Sequence, residues 1–97
     1  MLENVANCPN PFGNSGTYFT FDSSQEIDSC AIKIYTVTGK LINKIEKFNC
    51  SAGYNEIEWD GRDRDGDEIA NGVYYYKIIA RSGENTASVK EKLIKLR

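Results

Sequence analysis

The chain has 97 residues and a mass of 10.9 kDa, which suits one two-layer domain with a single core. Its content of 40% apolar and 27% charged residues is that of a folded protein rather than a disordered chain. It has no histidine and a net charge of −2, which excludes Ser-His-Asp and Cys-His catalytic relays and gives no reason to expect nucleic acid as a partner.

Apolar runs are only a few residues long, whereas a membrane helix needs about 20. We therefore expect no membrane insertion. The first residues, Met1–Asn4, have neither the basic start nor the apolar stretch of a signal peptide. Any export signal is expected to lie upstream of this segment.

Short segments with an apolar residue at every second position, each closed by glycine, asparagine or aspartate, predict β-strands. The six clearest are Thr17–Phe21, Ala31–Val37, Leu41–Phe48, Asn55–Trp59, Val73–Arg81 and Ser88–Leu96. The segment around Leu41–Phe48 also fits a helical period, but its β-branched and aromatic residues and the Thr-Gly turn before it favour a strand. No helix is predicted.

The turns between these segments favour a sandwich. Thr38–Gly39 predicts an antiparallel hairpin, because glycine accepts the positive φ of a tight reversal. The aspartate- and glycine-rich stretch Asp60–Asp67 predicts a looped connection, and Ser82–Asn85 predicts the turn between the last two strands. Together these features favour an all-β, immunoglobulin-like Greek-key β-sandwich of about seven strands, with an up-and-down barrel as the alternative.

The segment that begins at Gly72 has the spacing of a tyrosine corner, in which Tyr74 reaches back to an upstream backbone group. Alternation then predicts that Tyr76, Ile78 and Ala80 point inward and that Val73, Tyr75, Lys77 and Ile79 point outward. The single tryptophan, Trp59, is expected in the core with a partner for its indole N–H. A sugar-stacking platform is the alternative role for Trp59.

Seven carboxylates lie within thirteen residues: Glu56, Glu58, Asp60, Asp63, Asp65, Asp67 and Glu68. If Gly66 were the central glycine of an EF-hand calcium loop, the first position of the loop would need an acid but is Gly61. The last position would need a glutamate but is Gly72. Arg62 and Arg64 interleave with the acids, which is typical of a solvated turn. Calcium binding by Asp60, Asp63, Asp65 and Asp67 stays an open alternative. The sequence predicts no catalytic residue, cofactor site or metal site.

Cys8, Cys30 and Cys50 are an odd number of thiols, and no two stand at the C-x-x-C spacing of redox and zinc motifs. We expect three buried or half-buried free cysteines that behave as small apolar residues. A single disulfide bond is the alternative.

Several segments together carry a family resemblance. They are Pro9–Phe12, Ile34–Ile42, the stretch Ala52–Asp63 with its Trp-Asp-Gly-Arg-Asp motif, and Asn71–Ile78 with its Gly-Val-Tyr-Tyr-Tyr motif. In order and spacing this pattern resembles the FlgD-type Ig-like domain, from about Cys8 to the end. The resemblance implies one Ig-like domain over residues 1–97.

The resemblance also implies a non-catalytic role. Domains of this type are similar to the C-terminal sorting domains of type IX secretion cargo, which implies a C-terminal module of a larger, secreted or surface-exposed bacterial protein. The expected partners are the upstream domain of the parent polypeptide and a secretion or anchoring machinery. A glycan- or calcium-binding accessory module and a flagellar hook-capping scaffold are the alternatives.

The closing segment resembles the last strand of the family with its basic tail, so the chain is expected to end where its parent ends. Lys90, Lys92 and Lys95 are predicted to protect an exposed strand edge from uncontrolled pairing before they serve as binding determinants.

Overall fold

The computed structural model describes residues 1–97 and shows an all-β sandwich of seven strands in two sheets. The strands are β1 (Leu2–Cys8), β2 (Thr17–Ser23), β3 (Ile27–Thr36), β4 (Leu41–Cys50), β5 (Gly53–Trp59), β6 (Gly72–Ser82) and β7 (Asn85–Lys95). A three-stranded sheet has the order β1-β2-β5, and a four-stranded sheet has the order β4-β3-β6-β7. The sandwich prediction is confirmed, and the barrel alternative is wrong because the two sheets stay separate. No helix capable of crossing a membrane is present.

The six predicted strand segments overlap β2 to β7 one by one, with Val37 and Leu96 lying just beyond the observed strands, and the predicted turns connect them. β3 and β4 pair antiparallel across the Thr38–Gly39 turn, where Gly39 has φ 92° and its N–H donates to the Thr36 carbonyl at 3.0 Å. β6 and β7 pair antiparallel from Gly72↔Lys95 to Ser82↔Asn85.

β1 is the strand that the sequence pattern did not locate. Its residues do not alternate between buried and exposed positions, and only Asn7 is buried. β1 pairs with β2 through an irregular register that shifts between Glu3 and Ala6, near Asn4 with its positive φ of 52°. The strand therefore depends on its pairing with β2 rather than on an amphipathic pattern of its own.

The core lies between the sheets and is centred on an aromatic cluster. The ring of Trp59 lies 5.4 Å from that of Phe12 and 5.9 Å from that of Phe19, and Phe19 lies 4.7 Å from Tyr76. Burial of each such side chain contributes about 1.5–3 kcal/mol to folding. Since Phe12 lies outside the strands, the cluster also fixes the loop between β1 and β2.

Gly16 lets this loop approach β5 closely. It has φ +80°, and a Cβ added there would lie 2.1 Å from the Trp59 carbonyl oxygen. No larger residue fits without moving backbone, so Gly16 is the point at which the loop is held against the core.

Two buried aromatic residues, Tyr74 and Trp59, have the hydrogen-bond partners predicted for them. The Tyr74 hydroxyl donates to the Ala70 carbonyl at 2.6 Å, which confirms the tyrosine corner. The Trp59 indole N–H donates to the Arg62 carbonyl at 3.0 Å. Trp59 is only 3% exposed, so the alternative of a sugar-stacking platform on this residue is wrong.

Candidate functional site

The outer edge of β7 is one of the two open edges of the four-stranded sheet, and the outer edge of β4 is the other. The N–H and C=O of Ile94 point away from β6, since they bond to the segment Asn10–Phe12. Along a strand of an antiparallel pair, the backbone N–H and C=O groups of successive residues point alternately toward the partner strand and away from it. The backbone groups that point outward with those of Ile94 therefore belong to Thr86, Ser88, Lys90 and Lys92, and no backbone partner covers these four.

The C-terminal end of this edge is covered by the segment before β2. The Phe12 N–H donates to the Ile94 carbonyl at 2.9 Å, and the Leu96 N–H donates to the Phe12 carbonyl at 2.9 Å, which forms a parallel bridge. The Asn10 side chain accepts the Ile94 N–H at 3.1 Å. The open edge therefore runs from Thr86 to Lys92 and stops there.

Two of the three predicted protective lysines flank the open edge, and the third does not. Lys90 and Lys92 are exposed on β7. Lys95 is 2% exposed, its ammonium group donating to the Gly13 carbonyl at 3.3 Å and lying 5.1 Å from the centre of the Phe12 ring. Lys95 shares the inward face with Leu93, so the prediction of an edge-protecting role for it is wrong.

The acidic loop between β5 and β6 uses its carboxylates on its own backbone. One Asp63 carboxylate oxygen accepts the N–H groups of Asp65 and Asp67, both at 2.9 Å. The Asp60 carboxylate accepts the Arg62 N–H at 3.0 Å, and the Arg62 guanidinium donates to the Gly66 carbonyl at 2.9 Å. These contacts are those of a self-capped turn.

The remaining acids of the stretch do not converge on one point. Glu56 and Glu58 project from β5, and Glu68 pairs with the guanidinium of Arg97. The structure brings together no group of three or more histidine, cysteine, aspartate or glutamate side chains able to hold a metal ion. The sequence-based hypothesis that no catalytic or cofactor residue exists stays a prediction.

The three cysteines are free, and they divide into two kinds. Cys30 and Cys50 are buried as expected, whereas Cys8 is exposed at the end of β1, so the prediction of burial is wrong for Cys8. The disulfide alternative is not present in the fold. Burial, with a smaller contribution from the charge of Cys50, raises the pKa of Cys30 to about 12.

Comparison with known proteins gives a family match over most of the chain. The model of the FlgD Ig-like domain matches residues 10–84. The basal-body rod modification protein FlgD of Salmonella typhimurium is 30% identical over 69 residues, which cover 71% of this chain and 30% of that protein. The matched region therefore spans less than a third of the length of this curated relative.

Solved structures share the fold. PorU from Porphyromonas gingivalis, solved as a latent dimer, is 24% identical with a TM-score of 0.77, covering 95% of this chain and 9% of PorU. PorZ from the same organism, a surface component of the type IX secretion system, is 24% identical with a TM-score of 0.62, covering 97% of this chain and 12% of PorZ. FlgD from P. aeruginosa is 19% identical with a TM-score of 0.68, covering 79% of this chain and 60% of the solved chain.

The tyrosine corner at Tyr74 and the core packing of Trp59 belong to the segments that carry this match. The two-sheet arrangement agrees with the solved structures over nearly the whole chain. The chain belongs to the family of FlgD Ig-like domains.

Proposed function

We propose that this domain is a non-catalytic, C-terminal accessory module that directs the secretion and sorting, or the surface anchoring, of a larger bacterial protein. The observation that carries the proposal is that a domain of this fold makes up only a small fraction of the matching proteins. The fold matches PorU and PorZ over 95% and 97% of this chain but only 9% and 12% of those proteins. Both relatives hold a domain of this shape as a small part of a much longer chain.

The open edge of β7 supplies a physical means of recognition. Thr86, Ser88, Lys90 and Lys92 present outward N–H and C=O groups that an extended partner segment can pair with by strand addition. The parallel bridge between Phe12 and Lys95 limits that pairing to the first part of β7. A secretion or anchoring machinery that reads this edge needs no catalytic group on the domain.

The first test is to locate the domain in the source organism. Antibody against it is used on immunoblots of cytosol, envelope and culture medium. We expect a band much larger than 10.9 kDa in the envelope or the medium, with a smaller product if the module is removed after export. A band of the domain's own mass confined to the cytosol would overturn the proposal.

A variant pair tests whether the machinery reads the β7 edge. Lys90→Pro removes one outward N–H that has no ladder partner, so the fold should survive, because edge strands tolerate proline at such positions. Lys90→Gln removes the charge and keeps the N–H. We expect the proline variant of the parent protein to accumulate inside the cell while the glutamine variant is delivered. Equal delivery of both would exclude recognition through this edge.

A second candidate function is a scaffold role in flagellar hook capping, and the sequence match to Salmonella FlgD favours it. This role predicts that the same antibody finds the domain in purified hook and basal-body fractions. Absence from those fractions, together with a large band in the medium, would decide for the delivery role.

A further inference from the structure

The outward face of the four-stranded sheet carries a row of directly opposed lysines. Lys33 on β3 pairs with Lys44 on β4 and with Lys77 on β6, and Lys77 pairs with Lys90 on β7. Partners in an antiparallel register share a face, and the neighbours of Lys33 and Lys77 along the chain are buried in the core. We call Lys33, Lys44, Lys77 and Lys90 the lysine row. It crosses four strands, a distance of about 14 Å.

Little within the domain neutralises the lysine row. Lys44 has an ion pair, at 3.1 Å with Glu46, and the other three have none. The ammonium group of Lys90 lies 4.8 Å from the centre of the Tyr75 ring, which holds it in place without cancelling its charge. Like charges directly opposite each other destabilise a sheet, so the lysine row lowers the stability of an isolated domain.

The outward face of the other sheet has the opposite charge. β1, β2 and β5 contain no lysine or arginine. Glu56, Glu58 and Asp22 project outward there, because the residues between them are buried or lie on the inward face. Tyr18 and Tyr54 share this face and are 42% and 65% exposed. These five residues form what we call the acidic face.

The two charged surfaces lie on opposite outer sides of the sandwich, so they meet only between molecules. We propose that the lysine row of one domain docks on the acidic face of a second copy. Carboxylates of Glu56 and Glu58 pair with the ammonium groups, and the exposed rings of Tyr18 and Tyr54 offer them π faces. The contact joins unlike surfaces, so it is heterologous and leaves one free surface at each end of the assembly.

This proposal concerns the side chains of the outward face, whereas the β7 edge offers backbone groups, and Lys90 belongs to both. The proposal does not depend on the delivery role. The consequence is a head-to-tail array of domains that forms when copies are concentrated, as on a surface. The array is held by charge and is therefore sensitive to salt, since the Debye length falls from about 30 Å at 0.01 M to about 3 Å at 1 M.

The test is sedimentation equilibrium of the 97-residue chain over a concentration series in low and high salt. We expect the average mass to rise above 10.9 kDa with concentration in low salt, and the dissociation constant to increase at least ~tenfold in high salt. A single mass of one chain under all conditions would overturn the proposal. If that monomer binds dextran sulfate through the lysine row, the row is assigned to an external anionic polymer instead.

Charge reversal identifies the two surfaces. Lys33→Glu with Lys77→Glu should abolish association, and so should Glu56→Lys with Glu58→Lys. An equimolar mixture of the two variants should associate again, because each then carries the charge that the other needs. The control, Lys40→Glu with Lys47→Glu, changes net charge equally but leaves the row intact and should associate like the parent chain. Loss of association in the control, or no recovery in the mixture, would contradict the assignment. Circular dichroism checks that each variant is folded.

Discussion

The inward faces of the two sheets are built alike, whereas their outward faces carry opposite charge. Phe19 and Phe21 on β2 are fully buried, as are Ile32 and Ile34 on β3. Outside, one sheet presents the acidic face and the other the lysine row. Burial dictates the inward residues, because each must fill the same core. The outward residues are free of that requirement, so core packing does not dictate their unequal charge.

The likeness of the inward faces predicts the largest effects. Phe19→Ala in the three-stranded sheet and Ile32→Ala in the four-stranded sheet each delete a fully buried side chain, and each should lower the free energy of unfolding by about 3–4 kcal/mol. Tyr18→Ala, on the acidic face beside Phe19, should cost less than about 1 kcal/mol. Urea denaturation measures all three. A core deletion that cost much less in one sheet than in the other would contradict the likeness.

The second prediction concerns the tyrosine corner, which only the four-stranded sheet has. Tyr74→Phe removes the donor of the 2.6 Å hydrogen bond and leaves the Ala70 carbonyl without that partner. The expected loss is about 1–1.5 kcal/mol in the free energy of unfolding. Tyr75→Phe, on the outward face of the same strand, is the matched control and should change it by less than about 0.5 kcal/mol.

The third prediction is that alkaline instability arises in the four-stranded sheet, which alone has ionisable groups on its inward face. The pKa of Cys30 rises from 9.0 to about 12 because burial disfavours the thiolate, and burial also raises the pKa of Tyr74 and of Tyr76. The unfolded thiol ionises first as pH rises, so this contribution to stability is kept well below pH 9 and is lost as the pH rises through and above 9, by about 1 kcal/mol at pH 9.5.

Denaturation of the parent chain and of Cys30→Ala at neutral pH and at about pH 9.5 measures this effect. The variant should show a smaller drop between the two conditions, whatever its stability at neutral pH. Cys8→Ala, which removes an exposed thiol, should leave the drop unchanged. An equal drop in Cys30→Ala and the parent chain would exclude Cys30 as the source.

The smallest effect is expected on the outward face. Lys77→Gln removes the lysine that lies between Lys33 and Lys90 in the row. This substitution should raise the free energy of unfolding by about 0.5 kcal/mol in low salt, because it removes the repulsion between directly opposed like charges. High salt should remove the gain. A destabilising result in dilute low-salt solution would mean that the row is not under repulsive strain.

Alternation and turn chemistry were sufficient to predict most of the fold. Thr38–Gly39 and Ser82–Asn85 placed two hairpins, and Gly72 with Tyr74 placed the corner, because these features depend on residues close in sequence. β1 escaped prediction because it has no amphipathic pattern and is a strand only through its pairing with β2. A local signal cannot report a partner ten or more residues away.

The candidate surfaces were harder to predict for the same reason. From the sequence, Lys95 looks like an exposed edge residue, but in the fold Phe12 and Gly13 cover it. These two residues lie more than eighty positions earlier in the chain. The lysine row depends on the registers of three strand pairs. The one signal present in the sequence was composition, since β1, β2 and β5 lack basic residues while β3, β4, β6 and β7 contain most of them.

The parallel bridge between Phe12 and Lys95 has a mechanical consequence. It ties the segment before β2 to the end of β7, so a pulling force applied between Cys8 and Arg97 acts along the direction of these strands. The hydrogen bond that Phe12 N–H donates to the Ile94 carbonyl and the one that Leu96 N–H donates to the Phe12 carbonyl then bear the load together, in shear, instead of opening one after another. A force along these strands is therefore shared by two hydrogen bonds, which hold the end of β7 to the segment before β2.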